Sequence, residues 1–165
     1  MKRILALIML APVMAAAQSN PDSSFYKNAA EGGMFEVDAG NLAQSKGNSQ
    51  QVKDFGAMMV KDHSAANDKL KSLAASKNVT LPTSASVGEM ATKAKLDVLS
   101  GDTFDKSYIK SQLKAHRDTI ALFKTEIASG QDADAKAFAS STLPTVQSHL
   151  KAIKTIAAGA GVNTK

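Results

Sequence analysis

Apolar and polar positions along this chain repeat with the period of an α-helix over four long stretches. On a wheel advancing about 100° per residue, Phe25, Ala29, Gly32, Ala39 and Ala43 share one face of the first stretch, while Lys27, Glu31 and Asp38 point the other way. Val52, Phe55, Met59, Ala66, Leu70 and Leu73 share a face of the second. Ile109, Leu113, Ile120, Phe123 and Ile127 form the third stripe, and Phe138, Thr142, Val146, Ile153 and Ala157 the fourth. These stripes predict long helices over about 23–46, 49–77, 103–128 and 131–158.

The breaks between stripes set the connections. Gly47-Asn48-Ser49 and Ser129-Gly130 are short turns, so each joins two antiparallel neighbours. Asn78 to Ser86, with Pro82 and several Ser and Thr, interrupts the periodicity. A short helix is expected over about 87–99, with Gly101-Asp102 as the next break and cap. Pro144 removes one backbone donor inside the last stretch and predicts a kink. Two tight hairpins joined by one long connection give an all-α expectation: a ferritin-like four-helix bundle with a long central crossover containing a short extra helix. Residues 23–158 form that domain, after an N-terminal loop at 18–22 and before a frayed tail at 159–165. A short internal repeat supports paired hairpins. Gln51-Val52-Lys53-Asp54-Phe55-Gly56 resembles Asp134-Ala135-Lys136-Ala137-Phe138-Ala139, and each follows a hairpin turn and precedes a His.

Polar residues interrupt the apolar stripes at telling places. Glu36 sits in the middle of the first stripe and His63 lies on the second, with Asp62 at its margin. His116 is at the centre of the third, with Asp105 on the same face toward the helix start. His149 is on the fourth. Every His therefore points at the expected core. Glu36, His63 and His116 lie near the midpoints of their helices, and His149 about one turn further along, a shift of roughly 5–7 Å. A lone buried carboxylate is costly, but beside imidazoles it accepts hydrogen bonds. Two readings stay open. The first is a structural Glu–His network that fixes the register of the bundle. The second is a site for one transition-metal ion held by Glu36, His63, His116 and His149, with Asp62 and Asp105 as further polar-core or supporting groups. Three imidazoles and a carboxylate suit zinc, copper or iron.

Other chemistry is excluded or unsupported. A di-iron centre of the ferritin kind needs Glu-x-x-His on two helices, whereas Val60, Leu113 and Val146 stand three residues before the histidines. Met34, Met58 and Met59 read as core filler rather than thioether ligands. No phosphate loop and no nucleophile elbow are present. Gly32, Gly33 and Gly40 lower helix propensity and are expected to admit a close neighbouring helix.

Composition narrows the setting. The aromatic fraction is 5% and there is no Trp, so the core must rest on aliphatic, Met, Phe and Ala side chains. Lys2 and Arg3, the apolar run from Ile4 to Met14, and Ala15-Ala16-Ala17 form a signal-peptide pattern over 1–17, with cleavage expected near Ala17. The run falls short of the about 20 apolar residues a spanning helix needs. A periplasmic or secreted location follows as the expectation. The chain has no Cys, which excludes disulfides and thiolate chemistry. The formal net charge is +5, two of which come from Lys2 and Arg3. The remaining lysines are scattered without interleaved aromatics, so no nucleic-acid footprint is present.

One family resemblance is carried by particular residues. Ala29-Ala30-Glu31-Gly32-Gly33-Met34-Phe35-Glu36-Val37 and Gly40-Asn41-Leu42-Ala43 are followed by Val52-Lys53-Asp54-Phe55, then Met59-Val60-Lys61-Asp62-His63-Ser64 with Ala66-Asn67, and Leu81-Pro82. Phe104-Asp105 with Tyr108, His116, and Leu143-Pro144 with His149-Leu150 complete the set. Together these resemble the family known as domain of unknown function 4142, over roughly residues 23–157. The resemblance implies an exported bacterial helical bundle without an agreed activity. It also implies that Glu36, Asp62, His63, Asp105, His116 and His149 are family-typical polar positions. The function expected from all this is a non-enzymatic binding or stress-related protein of the cell envelope. The alternative is a periplasmic metal-binding protein using the Glu/His cluster, with a redox enzyme as the weaker third reading.

Overall fold

The computed structural model describes residues 20–164. The expected signal segment at 1–17 lies outside the described residues. Five helices are present: α1 (Ser23–Lys46), α2 (Gln50–Ser76), α3 (Val87–Asp97), α4 (Gly101–Ser129) and α5 (Ala133–Gly159). α1 packs along α2, and α4 along α5, as two antiparallel hairpins. α1 also meets α4, and α2 meets α5, which closes a four-sided bundle. α3 lies on the crossover against α1 and α4.

Local chemistry sets where the helices begin. The Ser49 hydroxyl accepts from the Val52 N–H, and the Asp132 carboxylate from the Asp134 N–H, so both short turns lead directly into a capped helix. Ser86 and Glu89 form a reciprocal capping box that starts α3 within the crossover. Two expectations shift. Gly101 and Asp102 are the first residues of α4 rather than a break; Ser100 is the cap, and Gly101 turns the chain at φ +57°, which a glycine adopts without strain. α3 ends at Asp97, two residues short of the expected boundary. α5 continues through Pro144 to Gly159.

The two hairpins clasp each other. The Asp105 carboxylate, near the start of α4, accepts from the Asn48 and Ser49 N–H groups of the α1–α2 turn, both at 2.8 Å. Asp22, just before α1, accepts from the Gln131 and Asp132 N–H groups of the α4–α5 turn at 2.8 and 2.5 Å. The repeat seen in the sequence thus extends to the ends of the bundle. An offset of 83 residues relates Asp22 to Asp105, Gly47 to Gly130, Ser49 to Asp132 and Phe55 to Phe138.

α1 and α2 approach closely at Gly33, against which the Asn67 side chain packs, and at the facing pair Gly40 and Gly56. A Cβ on Gly40 would stand 2.7 Å from the Gly56 carbonyl oxygen, and one on Gly56 would stand 2.7 Å from the Ala43 Cβ. Gly40 therefore does what its position suggested, and Gly56 is its partner. Gly32 is different, since a Cβ there meets only the Glu89 side chain at 3.7 Å.

The core divides into two apolar clusters. One gathers Phe35, Phe55, Met59, Phe104, Ile109 and Ile153 near the α1–α2 turn. The other gathers Phe25, Leu70, Phe123, Phe138 and Val146 toward the α4–α5 turn. Met59 is wholly buried in the first, as core filler. Along α2, α4 and α5 the histidines fall between the two clusters, and on α1 Glu36 falls at the same division.

Candidate metal centre

His63, His116 and His149 converge from α2, α4 and α5. One ring nitrogen from each lies within 4.8 Å of the others, and all three residues are buried. Ring centroids are 5.5–5.8 Å apart. Among the described residues no other set of three such groups comes together. The expected offset of His149 does not keep it away, because side chains lean toward the N-terminus of their own helix. α2 and α4 run one way and α5 the other, so His149 leans toward the level from which the other two lean back.

The hydrogen bonds around the rings fix which nitrogens face inward. His149 Nε2 pairs with Asp62 Oδ2 at 2.9 Å, and the carboxylate can only accept, so this nitrogen carries the proton. His116 Nδ1 stands 3.0 Å from the Gln112 carbonyl oxygen, to which it donates. The remaining nitrogens, His149 Nδ1 and His116 Nε2, are bare lone pairs. They and His63 Nε2 are buried without a hydrogen-bond partner. Three neighbouring rings that each keep an unpaired nitrogen in a protein core are an unusual arrangement, since buried polar atoms are nearly always paired.

Electrostatics keeps the rings neutral. Burial, with repulsion from the neighbouring imidazoles, pulls His63 down to about 3. Burial, with repulsion from His149, pulls His116 down to about 4 against the pull of its backbone partner. Burial lowers His149 too, while Asp62 opposes the shift. Neutral imidazole is the form that ligates a metal. A metal ion about 2.0–2.1 Å from each nitrogen needs them roughly 3.4 Å apart, closer than the 4.8 Å limit within which the three lie.

Glu36 is placed differently from the four-ligand expectation. Its Oε1 lies 3.6 Å from His116 Nδ1, on the side of the ring away from the inward nitrogen, so it backs His116 rather than joining the three nitrogens. Its Oε2 is buried without a partner. Burial pushes its carboxyl up to about 8; Gln112 opposes the shift and Glu89 adds to it. Asp62 fits its expected supporting place behind His149. Asp105 is a buried polar residue, but it caps the α1–α2 turn about 16 Å along α4 from His116 and does not touch the trio. The wheel reading missed Tyr108 and Gln112, which are fully buried and whose hydroxyl and amide are unpaired. They lie eight and four residues before His116, a spacing that would have shown them on its face.

Comparison with known proteins supplies the family but no activity. The family described as Domain of unknown function (DUF4142) matches residues 9–156. Among curated proteins, no sequence matches this chain. A Streptomyces coelicolor DUF305 protein, whose description proposes that it is secreted, has a similar crystal structure, with a TM-score of 0.72 at 14% identity over 87% of this chain and 96% of that one. A DUF305 fragment from Deinococcus radiodurans also gives 0.72, at 8% identity over 82% of this chain and 93% of that one. At such identities the likeness is one of fold alone.

Proposed function

We propose that this chain, which belongs to the DUF4142 family, is an exported metal-binding protein that holds one divalent transition-metal ion on His63, His116 and His149. The observation that carries this reading is the meeting of three neutral, buried imidazoles with ring nitrogens within 4.8 Å of one another, each ring keeping one nitrogen without a hydrogen-bond partner. A purely structural network would spend these nitrogens on hydrogen bonds to each other or to nearby donors. Here the hydrogen bonds are made on the outer sides of His116 and His149, which orients both rings inward. A carboxylate or carbonyl behind each ring is the usual support for a metal-bound histidine. Asp62 would supply negative charge behind His149, which offsets part of the cost of bringing a dication into the core; Glu36, raised to about 8 by burial, would add to it on losing its proton as the ion binds. Imidazole ligands suit zinc, copper, iron and nickel. Three ligands leave a fourth position for water or another small ligand. Export is supported by the signal pattern at 1–17 and by the secretion proposed for the Streptomyces relative. Among the described residues, no helix is long and apolar enough to cross a membrane.

Metal content of the mature protein, made without a His tag, tests the reading. Incubation with zinc, copper or iron should leave about one equivalent bound, and the His63→Ala/His116→Ala double variant should hold none. No retained metal in the parent protein would sink the proposal.

A further inference from the structure

We infer that cations reach the histidine trio through a polar cleft between α1, α3 and α4, in which Glu36 is the last carboxylate before the imidazoles; this rests on the metal-binding reading above. The three histidines are 1–8% exposed, so an ion must cross part of the protein to meet them. The cleft has a volume of about 560 Å³ and is bounded by Glu31, Gly32, Glu36, Glu89, Lys114 and Asp118. Its charge is predominantly acidic. Lys114 is paired with Asp118, and Glu31 stands 4.0 Å from the exposed Lys27 at the rim, so the carboxyl groups of Glu31, Glu89 and Glu36 outnumber the cations along the cleft.

Carboxylates on a surface alone would be an ordinary solvated face. Glu36 makes this one different. It forms part of the cleft wall, is 3% exposed, and has an Oε2 without a hydrogen-bond partner. Its Oε1 stands 3.6 Å from His116 Nδ1. A carboxylate series therefore runs from the rim to the edge of the first imidazole, and passage past the His116 ring is the narrow step. Gly32 adds an independent sign. A glycine inside a helix lowers its stability, yet no neighbouring helix presses against this one, since a Cβ would meet only Glu89 Oε1 at 3.7 Å. What the missing side chain leaves is open space in the cleft. The other carboxylate beside the trio, Asp62, is a poorer door. Its Oδ2 already holds His149 Nε2, and a cation drawn there would release the ring.

Rates of loading separate the route from the site. Metal-free mature protein is mixed with Co²⁺ in a stopped-flow instrument, and the visible absorbance of the bound ion is followed. Gly32→Leu should obstruct the cleft, and Glu31→Gln/Glu89→Gln should discharge it; glutamine at position 89 keeps the capping box. Both should load on the order of ten-fold more slowly than the parent, the loss expected when electrostatic focusing is removed, and both should reach the parent's final absorbance. In the charge variant the rate should also lose most of its dependence on salt. Loading at the parent's rate in the double Gln variant would overturn the route, whether or not Gly32→Leu folds. If the parent itself develops no bound-cobalt spectrum, the trio is not a metal site and the route falls with it.

Discussion

Asp22 and Asp105 occupy equivalent places in the two hairpins, and each accepts two backbone N–H groups from the turn of the other. Neither turn can satisfy these donors within its own hairpin. The pairing therefore ties each end of the bundle to residues far away in sequence, and it fixes the register in which α1 and α4 meet. That register is what brings Glu36 and His116 to the same level. The lower clasp is reinforced further. Asp132 accepts from the Tyr26 hydroxyl at 2.9 Å and from Asn20 at 3.0 Å, and Lys77 pairs with it at 3.2 Å. Burial works against the charge on Asp132, but these donors overcome it and hold the carboxyl down at about 2.

Asp105→Ala should lower stability by about 2 kcal/mol or more, because two hydrogen bonds to a charged acceptor are lost together. Urea unfolding, with an unchanged dependence on denaturant and a lower midpoint, is the measurement. Asp22→Ala should do the same at the other end, and the two losses should add, since the sites share no partner. A midpoint equal to the parent's in Asp105→Ala would show that the turn is held by other means.

Asp62→Asn should weaken metal affinity by roughly ten-fold to a hundred-fold, the range found when a carboxylate behind a ligating histidine is removed. Competition with a chromophoric chelator reads this directly. Asp105→Asn is the control: it is a buried carboxylate far along α4, and should leave affinity unchanged. Equal affinities for Asp62→Asn and the parent would remove Asp62 from the site.

Stability of the metal-free protein should depend on pH in two opposite ways. His63 and His116 are held down at about 3 and about 4, while unfolded histidine titrates near about 6.5. As pH falls below that value the unfolded chain takes up protons that the fold refuses. The fold then loses about 1.4 kcal/mol per pH unit for each such histidine. Glu36 is raised to about 8 by burial, so its contribution as a neutral acid is complete below about 4.5 and is lost as pH climbs toward 8. The two trends give a maximum near neutrality. Glu36→Gln should reduce the fall on the alkaline side, leaving the part contributed by Glu126, which burial and the neighbouring Asp22 raise to about 7, and should keep the fall on the acid side. Unfolding midpoints from pH 4 to 9 would show it, and an unchanged alkaline slope in the variant would assign that fall to another group.

Gly56→Ala should destabilise by about 1–3 kcal/mol, because the new methyl meets the Ala43 Cβ and the Gly40 carbonyl at 2.7 Å and neither can rotate away. Gly32→Ala should instead stabilise by up to about 1 kcal/mol through helix propensity, since its surroundings accept a methyl. Thermal unfolding of the pair distinguishes a contact-driven glycine from one kept for space. A rise in melting temperature for Gly56→Ala would contradict the close approach of α1 and α2.

The sequence by itself determined the all-helical class, the two hairpins, the long crossover and the inward direction of all three histidines. Each follows from local facts: helical periodicity, turn residues and wheel position. It also held the trace of duplication in residues 51–56 and 134–139, because equivalent turns need equivalent residues. What it did not determine is which polar residues meet. Glu36, His63 and His116 were legible as one layer with His149 about a turn away, yet Glu36 stands behind His116, and Asp105 serves a turn. Those outcomes depend on the stagger and direction of helices joined through long-range contacts. They also depend on which ring nitrogen a neighbour such as Asp62 or the Gln112 carbonyl occupies. Periodicity places a side chain on a face. Only the packed bundle decides the height at which it arrives and which lone pair it presents.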